Sequence, residues 1–270
     1  LWTALWGYAG LILSTPLTVC VVVLGRYVPQ FSFLHIILGD EGVLAAEAQY
    51  YQRMLAMDYP EAQVVASHFL DEHSLTELYD LLIIPALTMA EHDRHKGTLD
   101  VAREEFLFLS VKEMLAEFSE KTLDPDAVSA RADSSQPSRI FVLPASDEAD
   151  ETTAAMLAQL LEQAGYPAIA LSLGPTLHQT IELMSPGQDD MFCVAALPPF
   201  AFARTIAVTR QLRSRYPLTR TIAGVWGFTG NTERALQRFR PGSPDQLVTS
   251  LAGAVEYIAT GNQTPKFAEA

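Results

Sequence analysis

RIFVLPASDEADETTAAMLAQLLEQAG, residues 139–165, is the stretch on which the fold turns. It opens with the apolar run Ile140-Phe141-Val142-Leu143, passes Pro144 into an acidic loop, and resumes as alanine, methionine and leucine at helical spacing until Gly165. A strand over 139–144 and a helix over 149–164 follow from that change of period. The unit recurs downstream. Strands are predicted over 168–172, 191–196, 221–226 and 246–249, with helices from about 177, over 200–215, from 231 and through 258. Uninterrupted apolar strands need cover on both faces, which a parallel sheet flanked by helices provides. Right-handed crossovers then predict an α/β, flavodoxin-like, doubly wound sheet of five strands in the order 2-1-3-4-5, spanning 139–260.

Upstream the pattern is helical. Helices are predicted over 42–56, after Pro60, from Ser74 and over 100–121, making a four-helix bundle across 41–122. Ser74-x-x-Glu77 reads as a capping box, Pro85 as a kink and Gly97 as a stop. LDPDAVSARADSSQPS, residues 123–138, reads as a linker, and 261–270 as a tail.

The first 25 residues, LWTALWGYAGLILSTPLTVCVVVLG, carry no formal charge, and the chain begins with Leu1. A helix of about 20 residues crosses a hydrocarbon core of roughly 30 Å. A membrane segment, a buried helix or hairpin, and a secretory signal are the three readings. The signal lacks its basic start, because no Lys or Arg precedes Arg26. The expectation is a last transmembrane segment over 1–27, the cut end of a multi-pass protein, followed by a juxtamembrane connector over 28–40. Gly7, Gly10 and Pro16 would govern its packing, as a kinked span or a re-entrant hairpin. Localisation in a cell inner membrane is expected, with residues after about 27 cytoplasmic.

Charge is unevenly spread. The formal net charge is −14; residues 41–130 sum to −12, whereas 204–240 hold eight arginines against Glu233 alone. No nucleic-acid reader motif accompanies the arginines, so a solvated face, or a dock for the acidic segment within or between protomers, is expected. Cys20 and Cys193 lack CxxC neighbours, which leaves a disulfide framework and a zinc site unsupported.

Ligands of doubly wound sheets bind at the carboxyl ends of the strands. The loop Ala145–Glu151 holds four carboxylates in five residues and would repel phosphate. GxGxxG, GxxxxGK[ST] and GxSxG are absent. The acidic loop fits a Mg²⁺-holding receiver site or favourable charge at a helix N-terminus, but Ala195-Ala196-Leu197 lacks the phosphoacceptor aspartate. His92 and His95, with Glu91 and Asp93, stand one helical turn apart as metal ligands would, yet sit at a helix end where solvent-facing histidines are common. No metal, no catalytic residue and no enzyme activity are expected.

Two resemblances add to this. LWGYAGLILSTPLTVCVVVLGRYVPQFSFLHIILGDEGVLAAEAQYYQRMLAMDYPEA, with Leu24-Gly25-Arg26, Val28-Pro29, Leu38-Gly39-Asp40-Glu41 and Tyr51-Gln52-Arg53, resembles the last span and following stretch of autoinducer-2 exporter family (PerM-like) permeases. That resemblance implies a transporter fragment, partnered by the bilayer and by transmembrane helices of the same protein, with a cytosolic regulatory or docking domain. Residues 41–260 are similar in layout to the cobalamin-binding module of methionine synthases and light-sensing regulators. The module's upper-face tryptophan corresponds to Arg94, and the histidine of its Glu-His pair to Glu105. Its Asp-x-His-x-x-Gly becomes Asp147 to Thr152, with Ala149 at the axial histidine; its Ser-x-Leu becomes Ala195-Ala196-Leu197, and its glycine pair Trp226-Gly227. The resemblance therefore implies the architecture without cobalamin. The candidate crevice comprises Ser146, Asp147, Ala149, Ser172, Leu197, Pro198, Trp226, Gly227, Arg94 and Glu105. The alternative to transport is a sensor domain for cobalamin or another small ligand. A homo-oligomer and a small-molecule ligand are compatible partners; nucleic acid is not.

Overall fold

The structure, a computed structural model, describes residues 45–122, 139–174, 179, 185–187 and 189–260. The chain divides into units 1–45 and 46–270, and the described helices and strands all belong to the second.

Helix α1 (Ala46–Leu55) buries Tyr50, Tyr51 and Met54 along one stripe. Helix α2 (Tyr59–Leu70) starts at Asp58, whose carboxylate accepts the Glu61 N–H, and places Pro60 in the first turn, where no N–H is needed. Helix α3 (Leu75–Glu77) opens with the predicted capping box, the Ser74 hydroxyl accepting the Glu77 N–H while the Glu77 carboxylate accepts the Ser74 N–H. The chain then widens into π-helical turns over Leu78–Ile83 and continues as α4 (Ile84–Lys96). The kink expected at Pro85 takes this form. Proline cannot donate to the preceding turn, and the Ile84 N–H reaches back five residues to the Tyr79 carbonyl. Gly97 ends α4 with φ +72°, a conformation that suits glycine. Helix α5 (Val101–Thr122) follows Asp100, which accepts the Arg103 N–H.

The sheet elements are β1 (Ile140–Pro144), α6 (Glu148–Gln163), β2 (Ala168–Ala170), β3 (Met191–Ala196), α7 (Ala201–Arg215), β4 (Arg220–Val225), α8 (Thr232–Gln237), β5 (Gln246–Val248) and α9 (Leu251–Ala259). All pairings are parallel and the order is β2-β1-β3-β4-β5, as the first βα unit implies. Alternation divides the side chains between two faces. Ile140, Val142, Cys193, Ile222, Trp226 and Val248 join one core with α6, α9 and the helices of the bundle. Phe141, Leu143, Phe192 and Val194 turn the other way onto Val208 and Leu212 of α7, and Ala223, Val225 and Leu247 onto Ala235 and Phe239 at α8. The bundle therefore stacks on the α6–α9 side of the sheet, with α7 and α8 on the other. Each large apolar side chain so buried contributes about 1.5–3 kcal/mol. Cys193, at the centre of β3, is fully buried.

The described residues add no membrane-spanning helix to the segment expected over 1–27: none of their helices is long and apolar enough to cross a membrane. The longest, α5, is studded with Arg103, Glu104, Glu105, Lys112, Glu113 and Glu117. The stretch 1–27 with Gly7, Gly10 and Pro16, the connector 28–40, the linker 123–138, the helix expected from 177 and the tail 261–270 lie outside the described residues.

Candidate functional site

The carboxyl ends of the parallel strands meet the end of α4. Asp147 is the centre of that junction. It caps α6, its Oδ1 accepting the Asp150 N–H at 3.2 Å. Its Oδ2 accepts from Arg94 of α4 at 3.0 Å and from Arg204 of α7. One carboxylate oxygen thus joins bundle and sheet.

Arg94 is itself held from within the bundle. Its Nε and Nη2 donate to the two oxygens of Glu91 at 2.9 and 2.6 Å, and Glu104 of α5 lies 3.7 Å away. Glu91 is only 1% exposed. Burial pushes its carboxyl above the usual range, against the Arg94 hydrogen bond, while the Asp147 charge adds to the rise. Arg94 holds its proton more tightly than a free guanidinium, first through the hydrogen bond to Glu91. His95 Nε2 lies 3.4 Å from Glu91, and its ring meets Phe200 edge-on at 4.9 Å; the Arg204 guanidinium lies over Phe200 at 5.7 Å.

Behind Asp147 sits Asp150, with no exposed surface. Its Oδ1 accepts the Leu197 N–H at 2.7 Å, whereas Oδ2 has no hydrogen-bond partner, the nearest cation being Arg204 at 3.9 Å. Its pKa is pushed up from 3.8 to about 7, first by burial and next by the Asp147 charge. The Leu197 N–H and Arg204 oppose that rise, and Glu91 adds to it. Such a group changes charge near neutrality.

Two further polar ties fasten the layers. The Tyr79 hydroxyl donates to Gln159 of α6 at 2.7 Å, and the Gln159 amide donates to the Leu115 carbonyl at 3.3 Å. Asp80 accepts the Leu251 and Ala252 N–H groups at 2.7 and 2.9 Å, capping α9 from the bundle.

The residues singled out by sequence divide into three groups. Arg94, Asp147 and Leu197 come together. Ala149 is buried as a plain methyl, and Trp226 is fully buried, its indole N–H donating to Thr153 Oγ1 at 3.1 Å. That ring lies over Gly224 of its own strand. Gly227 takes φ +70° and donates its N–H to Thr249, while Pro198 lies half-buried behind Leu197. Ser146, Ser172 and Glu105 are exposed, and Glu104, one position earlier, is the glutamate that approaches Arg94. His92 is exposed too. Sequence reasoning named Glu91 only beside His92 and His95, named Asp150 only within the acidic loop, and missed Thr153 and Arg204. Glu91 had a signal, lying three residues before Arg94 on one helix face. Arg204 had none, since 57 residues separate it from Asp147. Among the described residues no three His, Cys, Asp or Glu side chains gather as a metal site requires. What this junction can do is bind or release a proton and trade ion pairs.

No known family profile matches the chain, and no curated protein matches its sequence. Similar solved structures exist. The monomethylamine corrinoid protein of Methanosarcina barkeri aligns with a TM-score of 0.52 at 6% identity, covering 77% of this chain and 94% of that one. A novel cobalamin-binding protein from Desulfitobacterium hafniense DCB-2 aligns with a TM-score of 0.38 at 12% identity, covering 82% of this chain and all of that one. The transport and permease expectation is corrected accordingly: the solved structure with which this chain shares its fold is a corrinoid protein, and no permease family profile or curated permease matches the chain. The described chain shares its fold with that corrinoid protein and is built as a helix bundle set on a five-stranded parallel sheet.

Proposed function

We propose that residues 46–260 form a regulatory sensor module on this architecture, without a transport or catalytic role, whose ligand is not a corrinoid but includes the proton. A corrinoid does not fit the residues present. Ala149 offers cobalt no ligand, the Trp226 indole fills the space under β4 down to Gly224, and Arg94, Asp147 and Arg204 close the face between bundle and sheet. Fold alone does not carry function.

The observation that supports a proton-responsive junction is the fully buried carboxylate of Asp150, one oxygen unpartnered, directly behind the aspartate that links the layers. With Asp150 protonated, Glu91 and Asp147 balance Arg94 and Arg204. Ionised Asp150 adds an unbalanced negative charge, with Glu104 and His95 at the rim, and competes with Asp147 for Arg204. Proton release thus loosens the Arg204–Asp147–Arg94 bridge; proton uptake tightens it.

The test uses the full chain. Hydrogen exchange, corrected for intrinsic rates, should show the amides of 147–151 and the end of α4 opening more readily as pH passes about 7, and Asp150→Asn should remove the step. A pH-independent pattern, or one unchanged in the variant, defeats the reading. Adding hydroxocobalamin should leave its visible spectrum unchanged; a protein-dependent change in that spectrum would show that corrinoid binding survives.

A further inference from the structure

The sheet separates two surfaces of opposite charge. Helices α7 and α8 lie on the face away from the bundle, and their outer surface carries Arg210, Arg215, Arg234, Arg238 and Arg240, all exposed. Two of the other arginines of this stretch are engaged elsewhere, Arg204 with Asp147 and Arg213 with Asp245 at 2.6 Å. Among the described residues no carboxylate pairs with the five exposed ones. Arg238 instead lies over the Phe202 ring at 4.7 Å, which ties the α8 end to α7. The turn at Gly242 passes close to α7, where a Cβ on Gly242 would stand 3.7 Å from the Arg210 Cα. The result is a predominantly basic face, with Glu233 of α8 exposed beside Arg234.

The bundle presents the counterpart. Glu61, Asp71, Glu72 and Glu77 are exposed along α2 and the start of α3. The sheet and the layer of α6 and α9 stand between the bundle core and the α7–α8 face, and among the described residues none of these acids pairs with an arginine of that face.

We infer that the α7–α8 face is a docking surface for the α2–α3 acidic face of a second copy of this chain. The contact joins two different surfaces, so it is head-to-tail and can extend to further copies unless its rotation closes a ring. This goes beyond the sensor reading and does not depend on Asp150. Charge complementarity selects the occupant: like-charged faces of two copies repel, and only the crossed arrangement pairs them.

Sedimentation velocity on the full chain tests it. Association should weaken at least about tenfold between roughly 0.05 and 0.5 M salt, because exposed pairs are screened over about 8 Å at physiological ionic strength. Arg210→Glu/Arg234→Glu/Arg240→Glu should abolish self-association, and so should Glu61→Arg/Asp71→Arg/Glu72→Arg. An equal mixture of the two variants should regain it. Association carried by residues 1–45 would persist in every variant and in salt, and would overturn the inference. So would a mixture that fails to associate while both variants keep the wild-type circular dichroism. Binding of the wild type to anionic vesicles or an acidic protein, with no self-association, would reassign the occupant and sink the second-copy proposal.

Discussion

Gly224 carries only a hydrogen where another residue would place a carbon 2.5 Å from Cζ2 of Trp226. The two positions therefore act together: the indole fits under β4 because the strand is bare there, and its N–H is satisfied by Thr153. Gly224→Ala should destabilise the protein by about 1–3 kcal/mol through overpacking. Trp226→Ala should cost about 3–5 kcal/mol through the cavity left behind. Combined, they should cost less than their sum, since the alanine methyl then meets open space. Urea unfolding of the four proteins measures this coupling, and strict additivity would show that the close approach is unimportant. At this scale the sequence was partly legible. Ala149 and Trp226 could be recognised as replacements at named positions. Asp150 could not, because its significance lies in an absent partner and in burial, and neither is written in residue type.

Among elements, local signals were read well where they act within a turn or two. The Ser74–Glu77 box and the Gly97 stop stand where the spacing put them, and the helix expected from 231 is capped there by the Asn231 side chain. The strands came through because parallel pairing demands apolar runs. What escaped was every contact made through space between elements far apart in the chain. Asp80 lies in the π-helical stretch, yet it caps α9, 171 residues away. Asp80→Ala leaves two N–H groups of α9 without their acceptor and should cost about 1–2 kcal/mol. Asp80→Asn, which retains one acceptor oxygen, should cost less. Thermal unfolding gives the size of the loss, and hydrogen exchange at 251–253 gives its place; equal losses from both substitutions would point to the charge instead.

For the whole molecule, the raised proton affinity of the buried carboxyls sets the response to pH. The Asp150 pKa rises from 3.8 to about 7, and those of Asp80 and Glu91 rise as well, each first through burial. The folded chain then binds more protons than the unfolded chain between those limits. Stability is thus fully present below pH about 4 as far as Asp150 is concerned, and is lost as pH climbs through 7. Every tenfold gain in proton affinity on folding is worth about 1.4 kcal/mol. The urea midpoint should fall from pH 5 to pH 7.5, and Asp150→Asn should flatten much of that slope; a midpoint that climbs with pH would reverse the sign assigned here. The net charge of −14, deepening as carboxyls ionise, pushes the same way.

Cys193 turns the central strand into a clock. Its sulfur has no exposed surface, and burial pushes the thiol up to about 12, so the nucleophilic thiolate is scarce in the native state. With Cys20→Ser leaving a single thiol, a disulfide reagent at pH 8 can react only when β3 parts from β1 and β4. The labelling rate then times the rupture of the sheet, separately from any loosening at Asp147. It should be slow, rise with urea in step with global unfolding and, at pH 8, change in Asp150→Asn only as far as that variant shifts the urea midpoint; labelling within seconds in buffer would mean that the strand opens without the rest of the molecule.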